Sequence, residues 1–387
     1  NLILDSFEYV EGAAYDDGLL LAEIRNVANN IDFSDGKSQE IINAAAQYKS
    51  LKLTSQISFY ISIIIIMVLG SLYAVRKINI QFNAQDTIEK YIKYLLIFCS
   101  SIAVLTTIGI IFSLIFESFR FFSQVSLFEF LFSTEWYPFI PIREGQAAAE
   151  GSFGAVPIFA GTFLVMIVAM CVAAPIGLLT AIYLSEYASQ KVRKTVKPLL
   201  EILAGIPTIV YGFFAFVTVA PFVKSFGQSI GIDASPTSAL AAGLVMGVMI
   251  IPFISSLSDD VINSVPQSLR EGSLGIGANK AETIKKVILP AALPGIVGAF
   301  LLAISRAIGE TMIVVVAAGT AANLTANPFE NVTTVTVQIV VALIGDQEFD
   351  NPRTLSAFAL GLVLFVITLS LNVLALRIVK KYRERYE

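Results

Sequence analysis

Two opposite charges, Arg306 and Glu310, lie within residues 287–329, a stretch with no other charged side chain. If a helix begins near residue 291, Arg306 is about 22 Å and Glu310 about 28 Å along it, at a rise of about 1.5 Å per residue. A charge deep in a bilayer costs a few kcal/mol or more. We therefore expect both side chains to face protein or water.

The chemistry of this pair allows two interpretations. Residues four apart lie on one helix face, so Arg306 and Glu310 can form a buried ion pair that only fixes helix packing. Alternatively, Arg306 supplies the positive field of a translocation path, because a guanidinium fork matches the geometry of a tetrahedral oxyanion. Glu310 would then hold Arg306 and keep the path from binding the anion too tightly.

Hydroxyl groups at Thr208 and Tyr211 are weaker candidates for the same path. They are three residues apart in "AGIPTIVYG", which puts both on one helix face, and Pro207 frees a backbone carbonyl there. The small residues of this segment are equally suited to close helix packing.

The other side chains exclude several kinds of chemistry. The chain has no His, and its two cysteines, Cys99 and Cys171, lie in uncharged stretches that do not suggest a disulfide framework. The sequence "GIGANKAET" at 275–283 lacks the residue order of a phosphate-binding P-loop. We predict no catalytic residue, metal site or cofactor in this chain, and any nucleotide energy must come from another chain.

Membrane spans are the elements that must position these residues. The chain is 56% hydrophobic and 14% charged, whereas soluble domains have about 25% charged residues. Stretches of roughly 20 apolar residues suffice to cross about 30 Å of hydrocarbon. Seven such spans are predicted, at 53–75, 94–116, 153–185, 202–223, 234–258, 287–329 and 354–376. The shorter run 331–345 is predicted to be a lid or interfacial segment, with a re-entrant loop as the alternative.

The distribution of Lys and Arg predicts the orientation. The loops on the same side of the membrane as residues 76–93, together with the C-terminal tail, carry 17 Lys and Arg residues. The loops between spans on the opposite side carry 4. Since the cytoplasmic loops of membrane proteins are enriched in Lys and Arg, the C-terminus is predicted inside and residues 1–52 outside. The net charge of −4 gives no indication of a nucleic-acid partner.

The predicted cytoplasmic loop 258–290 includes "VPQSLREGSLGIGANKAETIKKVILP". This pattern predicts a helix, a break at Gly275 and Gly277, and a second helix that leads to a span beginning at Pro290. Lys285 and Lys286 are placed at the lipid head groups. Such a loop presents a rigid helix end to a cytoplasmic partner.

Part of this loop resembles the Glu-Ala-Ala coupling motif of ABC importer permeases. The residues that carry the resemblance are Glu271-Gly272-Ser273, Gly277, Val287, Leu289 and Pro290, with Gly and Ser in place of the two alanines. The resemblance implies that this loop docks on an ATPase dimer and transmits its closure to the spans. The residues assigned to this coupling are Arg270, Glu271, Ser273, Gly277, Leu289 and Pro290.

Longer segments resemble the permease C subunits of bacterial phosphate-specific ABC transporters. They include "GIPTIVYG" and "RAIGETM", and the similarity covers most of 153–380. It implies an all-α membrane protein of about seven transmembrane helices, with a type I ABC importer permease core and a cytoplasmic coupling-helix loop. It also implies a bacterial inner-membrane location, and a permease A subunit, two ATPase subunits that use ATP and magnesium, and an external phosphate-binding protein as partners.

The chain divides by these criteria into four segments. They are an external segment 1–52, two N-terminal spans with their loops in 53–152, a permease core 153–380 and a cytoplasmic tail 381–387. The favoured function is the permease subunit of an ATP-driven phosphate importer. The alternatives are a permease for sulfate or molybdate, and a stand-alone secondary carrier that uses Arg306 and Glu310 as a proton-coupled pair.

Overall fold

The computed structural model describes residues 24–29, 39–77, 84–138, 151–344 and 350–383. Most of the predicted external segment 1–52 and the end of the cytoplasmic tail, 384–387, lie outside the described residues. The described chain is helical apart from one antiparallel pair of two-residue strands, β1 (Trp136–Tyr137) and β2 (Ser152–Phe153).

The helices follow one another along the whole described chain. The first three are α1 (24–28), α2 (Gln39–Lys77) and α3 (Ala84–Phe122). Then come α4 (Leu127–Phe132), α5 (Val156–Ile182), α6 (Gln190–Ala204), α7 (Thr208–Phe214), α8 (Ala220–Ser229) and α9 (Ala239–Ser264). The last six are α10 (Gln267–Gly275), α11 (Lys280–Thr283), α12 (Leu289–Ile308), α13 (Met312–Ala317), α14 (Val335–Leu343) and α15 (Pro352–Arg383). The described chain also has three π-helical turns. Tyr183–Tyr187 extends α5, Ala215–Val219 joins α7 to α8, and Ile284–Ile288 joins α11 to α12.

Seven helical segments of the described chain are long and apolar enough to span a membrane, as the sequence predicts. They are Ile41–Arg76, Ile88–Phe122, Val156–Tyr187, Thr208–Ser229, Ala239–Ser264, Lys280–Ile308 and Pro352–Leu374. The sixth differs from its prediction. Its helix ends at Ile308, so residues 309–329 do not continue the span.

The chain forms two compact units, residues 1–102 and 103–387. In the first, Ile24 of α1 packs with Ala44 and Ala45 of α2. In the second, the C-terminal part of α3 belongs with the bundle, since Phe121 makes edge-on contacts with Phe130 and Phe153 at ring-centroid distances of 5.3 and 5.5 Å. The sequence places the beginning of the core later, at residue 153.

Helices α5 and α9 form the centre of the second unit through small residues. A Cβ atom added at Gly243 of α9 would lie less than 3.0 Å from Val168 of α5. One added at Gly247 would lie less than 3.0 Å from Ala169 and Val172 of α5. Without a hydrophobic effect between helices in lipid, such close backbone approach supplies much of the association energy. These glycines therefore bring α5 and α9 together.

Two of the π-helical turns precede prolines. The turns end at Val219 and Ile288, and Pro221 and Pro290 follow each of them two residues later. A proline has no N–H for the usual bond four residues back. The backbone N–H of the residue before each proline, Ala220 or Leu289, donates instead to the carbonyl five residues back, which keeps the helix continuous. Pro290 is thus the second residue of α12, close to the helix start that the sequence predicts.

Within the short apolar run 331–345, residues Val335–Leu343 form α14, which is packed into the bundle. Val335, Val337, Gln338 and Ala342 are buried. The backbone N–H of Val335 donates to the Thr162 hydroxyl of α5 at 3.0 Å. Nine helical residues extend only about 14 Å, too short to cross the hydrocarbon. This packing favours the re-entrant alternative over a lid.

Substitution of Gly161 on α5 is expected to destabilise this packing. A Cβ atom there would lie 2.2 Å from the backbone oxygen of Thr333, just before α14, and backbone cannot move aside as a flexible side chain can. Gly161→Ala should cost about 1–3 kcal/mol and lower the thermal aggregation midpoint of the purified protein. Gly109→Ala is the control, because nothing lies within 4 Å of a Cβ at that helical position. An equal midpoint for both variants would contradict this account.

Candidate functional site

Arg306 lies two residues before the end of α12, with its side chain exposed on the isolated chain. Its Cζ is 6.0 Å from the ring centroid of Phe253 on α9. Along α9, Phe253 lies about 21 Å from the first residue, Ala239, and about 12 Å from Val261. Val261 is near the other end of α9, where it packs against Gly295 of α12. The guanidinium therefore lies deep along the bundle, as the sequence predicts.

Glu310 does not pair with Arg306, so the predicted ion pair is wrong. Helix α12 ends at Ile308, and the regular four-residue spacing does not reach Glu310. Its Oε1 instead accepts hydrogen bonds from the backbone N–H groups of Met312 (3.0 Å) and Ile313 (3.3 Å), at the first turn of α13. The residue is only 9% exposed, so these bonds satisfy a buried carboxylate.

The charge of Arg306 is consequently not neutralised by any acidic side chain among the described residues. The chain around it is a broken helix, with α12 ending and α13 beginning within four residues. Interrupted helices that line a membrane cavity commonly form ion and substrate sites, because unwound backbone offers polar groups at that depth. An exposed, unneutralised cation beside such a break is suited to attract an anion.

The two predicted hydroxyl groups differ in what they contact. Thr208 is the first residue of α7 and is half-buried. Tyr211 is buried, and its hydroxyl donates to the Leu203 carbonyl of α6 at 2.8 Å. Tyr211 therefore joins α7 to α6 across the break at Pro207, and Thr208 is the better remaining candidate for the path.

The predicted helix–break–helix loop is present, and we call residues 267–283, comprising α10 and α11, the coupling hairpin. Gly277 turns the chain between the two helices with a φ of +93°, a conformation that favours glycine. Ser273 is buried, and its hydroxyl lies 2.9 Å from that of Thr283, which joins α10 to α11. Asn279 and Glu282 form a reciprocal capping box at the start of α11. The hairpin is thus a defined structure with internal bonds.

The coupling hairpin carries exposed apolar side chains. Leu269, Leu274 and Ile276 are 46%, 51% and 88% exposed, and Glu271 on α10 is also exposed. Leu289 and Pro290, in contrast, are half-buried at the start of α12, where Leu289 packs against a buried apolar cluster. Glu271 thus belongs to an accessible surface, while Leu289 and Pro290 belong to the base of the hairpin.

Arg270, on the inner side of α10, has contacts that the sequence does not indicate. It forms an ion pair with Glu186, which lies in the π-helical turn at the end of α5. It also donates to the Ile262 carbonyl of α9 at 2.6 Å. From the sequence alone Glu186 has no assigned function, since a single Glu after a span is most often an interfacial charge.

A second cluster missed from the sequence surrounds Asp259 on α9, which is 1% exposed. Its carboxylate accepts from Arg193 at 2.9 Å, from Lys197 at 3.0 Å and from Asn263 at 2.9 Å. Burial acts to lower the pKa of Lys197, but its hydrogen bonds and charge interactions with Asp259 and Asp260 outweigh this effect and raise the pKa. Lys197 therefore stays charged at neutral pH and fixes α6 to α9, and this contribution is lost only as the pH rises through the raised pKa.

A comparison with protein families covers both the deep cation and the coupling hairpin. Residues 173–384 match the family described as "Binding-protein-dependent transport system inner membrane component". The chain belongs to this family. The matched range contains Arg306, Glu310, Thr208, Tyr211 and the whole coupling hairpin.

Two relatives are similar over most of the permease. The probable ABC transporter permease protein YqgH of Bacillus subtilis (strain 168) is 36% identical over 244 residues, which are 63% of this chain and 75% of that protein. The phosphate transport system permease protein PstC of Pasteurella multocida (strain Pm70) is 34% identical over 291 residues, 70% of this chain and 86% of that protein.

A solved structure supports the fold assignment. The bacterial alginate ABC transporter, crystallised in complex with an alginate pentasaccharide-bound periplasmic protein, contains a chain that is 16% identical with a TM-score of 0.52. The similarity covers 77% of this permease and 97% of that chain. The predicted fold class, an all-α membrane protein with a type I ABC importer permease core, is confirmed.

Proposed function

We propose that this chain is the permease subunit of an ATP-driven phosphate importer, in which it forms half of the translocation path and docks the ATPase. The observation that carries the proposal is the exposed guanidinium of Arg306, deep on α12 and without an acidic partner among the described residues. The names of relatives such as the Pasteurella multocida phosphate permease support phosphate as the cargo.

The exposure of Arg306 has a physical consequence. A guanidinium facing hydrocarbon would cost several kcal/mol or more, so this face of α12 must meet water or protein in the assembled transporter. A water-filled path between two permease subunits meets this requirement. In such a path, Arg306 offers phosphate a fixed charge and a planar set of N–H donors, which match its oxygens better than a point charge does.

The coupling hairpin supports the proposed partners. One chain offers one hairpin, whereas an ABC motor has two ATPase subunits, so a second, similar permease is required to dock both. We propose a complex with a permease A subunit, two ATPase subunits that hold ATP and magnesium, and an extracytoplasmic phosphate-binding protein. The exposed Glu271, Leu274 and Ile276 form the surface that contacts the ATPase.

The proposed location is the bacterial inner membrane, with the N-terminal segment outside and the C-terminus in the cytoplasm. This orientation rests on the excess of basic residues on the side of the coupling hairpin. It puts the exposed face of α10 on the side where ATP is available.

Co-purification tests the proposed assembly. The chain is expressed together with the candidate permease A subunit, the ATPase and the binding protein. A tag on this chain should then recover one copy of each of the two permeases and two copies of the ATPase. ATP hydrolysis should require the ATPase subunits and should rise when the phosphate-loaded binding protein is added. A chain that purifies alone and hydrolyses ATP unaided would refute the proposal.

A further inference from the structure

The end of α5 contacts both helices of the coupling hairpin through two consecutive residues. Glu186 forms the ion pair with Arg270 of α10. Next to it, the ring centroid of Tyr187 lies 5.0 Å from the Nζ of Lys280, the first residue of α11. We call these four residues the α5 joint.

The contacts of the α5 joint are shielded from water to different degrees. The Glu186 and Arg270 side chains are 9% and 14% exposed, so their attraction is weakened by solvent far less than that of a surface pair. Arg270 is also held by the Ile262 carbonyl of α9, which fixes its guanidinium from a second direction. Tyr187 is exposed, so its contact with Lys280 is the weaker of the two.

The π-helical turn Tyr183–Tyr187 sets the position of the joint. The N–H of Ala188 bonds to the carbonyl of Tyr183, five residues back, at 2.8 Å. Such a turn inserts an additional residue into the helix and shifts the side chains that follow, and it is frequent at functional sites. Here Glu186 and Tyr187, both within the turn, are the residues that contact the hairpin.

An apolar layer adjoins the ion pair. Ala181 of α5 packs in one buried cluster with Ile262 and Val265 at the end of α9 and with Ile284 and Ile288 of the π-helical turn after α11. The chain connects the hairpin directly to α9 and α12, but not to α5. This layer and the α5 joint are therefore the direct contacts through which a movement of the hairpin reaches α5, without passing through α9 or α12.

We propose that the α5 joint locks the coupling hairpin to α5, so that the hairpin and α5 move as one body when the ATPase closes. The proposal rests on the proposed function for the source of the movement. Because α5 is packed closely on α9 through Gly243 and Gly247, a hairpin connected to α9 and locked to α5 would move both central helices of the bundle together. Glu186 is thus a positioning residue for coupling.

A distance measurement tests the lock without any cargo. Spin labels are placed at Ser268→Cys on α10 and Ile167→Cys on α5, both in a Cys99→Ser, Cys171→Ser background, in the full complex with its ATPase. Between the nucleotide-free and vanadate-trapped complexes, the label distance should stay within about 2 Å, less than one helix-register shift. With Glu186→Ala, the distance should shift or broaden on trapping. A clear change in the parent complex, or none in the variant, would overturn the proposal.

The ratio of ATP hydrolysed to substrate transported gives an independent test. Glu186→Ala should lower ATP-driven phosphate uptake about tenfold, equivalent to about 1.4 kcal/mol, while ATP hydrolysis stays within about twofold. Tyr187→Leu, which removes the ring but keeps apolar bulk, should have a smaller effect in the same direction. Glu201→Ala on α6 removes an exposed cytoplasmic carboxylate and serves as the matched control.

The outcomes separate this proposal from the proposed function. Equal ATP-to-phosphate ratios for Glu186→Ala and the parent would overturn the lock, as would loss of ATPase from the purified variant, since that indicates a purely structural role. If the parent complex moves no phosphate, the proposed cargo is wrong. The spin-label distances then still decide whether the joint holds.

Discussion

Arg306→Gln is expected to lower ATP-driven phosphate uptake by about 100-fold or more, which is the scale seen when a fixed donor to a developing or bound anion is removed. The change keeps most of the side-chain size and some hydrogen bonding but removes the positive field. Arg306→Lys should retain partial uptake, because the charge survives and the planar fork does not. Radiolabelled phosphate entering proteoliposomes with the complete complex is the measurement.

The absence of an Arg306–Glu310 pair makes this prediction sharper. Since Glu310 is bonded to the backbone of Met312 and Ile313, Arg306→Gln leaves no buried carboxylate without a partner. The variant should therefore assemble normally, with stability changed by about 0.5 kcal/mol or less. Adding Glu310→Gln should not restore uptake. Leu302→Gln, one turn earlier on the same exposed face, is the control and should transport far better. Wild-type uptake by the double variant would end the assignment of Arg306 to the path.

Glu271→Lys is expected to release or uncouple the ATPase while leaving membrane insertion intact. The side chain is exposed on α10 and forms no ion pair with another described residue, so its replacement disturbs nothing inside the permease. At an interface, however, a reversed charge costs several kcal/mol against a matched partner surface. The recovered ATPase and binding-protein-stimulated hydrolysis should both fall at least about tenfold, with permease yield unchanged.

The control for this change is Glu201→Lys, which reverses an exposed charge on α6, also on the predicted cytoplasmic side but outside the hairpin. The Glu201→Lys permease should recover as much ATPase as the parent permease does. Normal ATPase recovery together with normal phosphate uptake in Glu271→Lys would show that the exposed face of α10 is not the docking surface.

The sequence predicts the spans and the hairpin because both depend on local patterns. Hydrophobic length identifies a membrane helix, and Gly277 marks a turn that other residues resist. The end of α12 at Ile308 is different. The residues after it are as apolar as those before, so composition alone could not show that the helix stops before Glu310 and that a new helix begins at Met312. The predicted ion pair failed for this reason.

The contacts of the coupling hairpin were beyond sequence reasoning for another reason. Glu186 and Arg270 are 84 residues apart in the chain, and the tertiary packing of the bundle brings them together. Asp259 and Lys197 are also distant in the chain, 62 residues apart on α9 and α6, so no local sequence pattern relates them. Tyr211 could be selected from its position beside Pro207, but the sequence does not show that the Leu203 carbonyl accepts its hydrogen bond.

The most direct test of the central claim is uptake by the wild-type complex, with its binding protein and with ATP supplied to the ATPase side. Radiolabelled phosphate and sulfate are compared in parallel vesicles, with ATP replaced by a non-hydrolysable analogue as the control. The account predicts ATP-dependent accumulation of phosphate, little accumulation of sulfate, and loss of phosphate accumulation with Arg306→Gln. Accumulation of sulfate in preference to phosphate, or phosphate accumulation that persists without ATP hydrolysis, would contradict it.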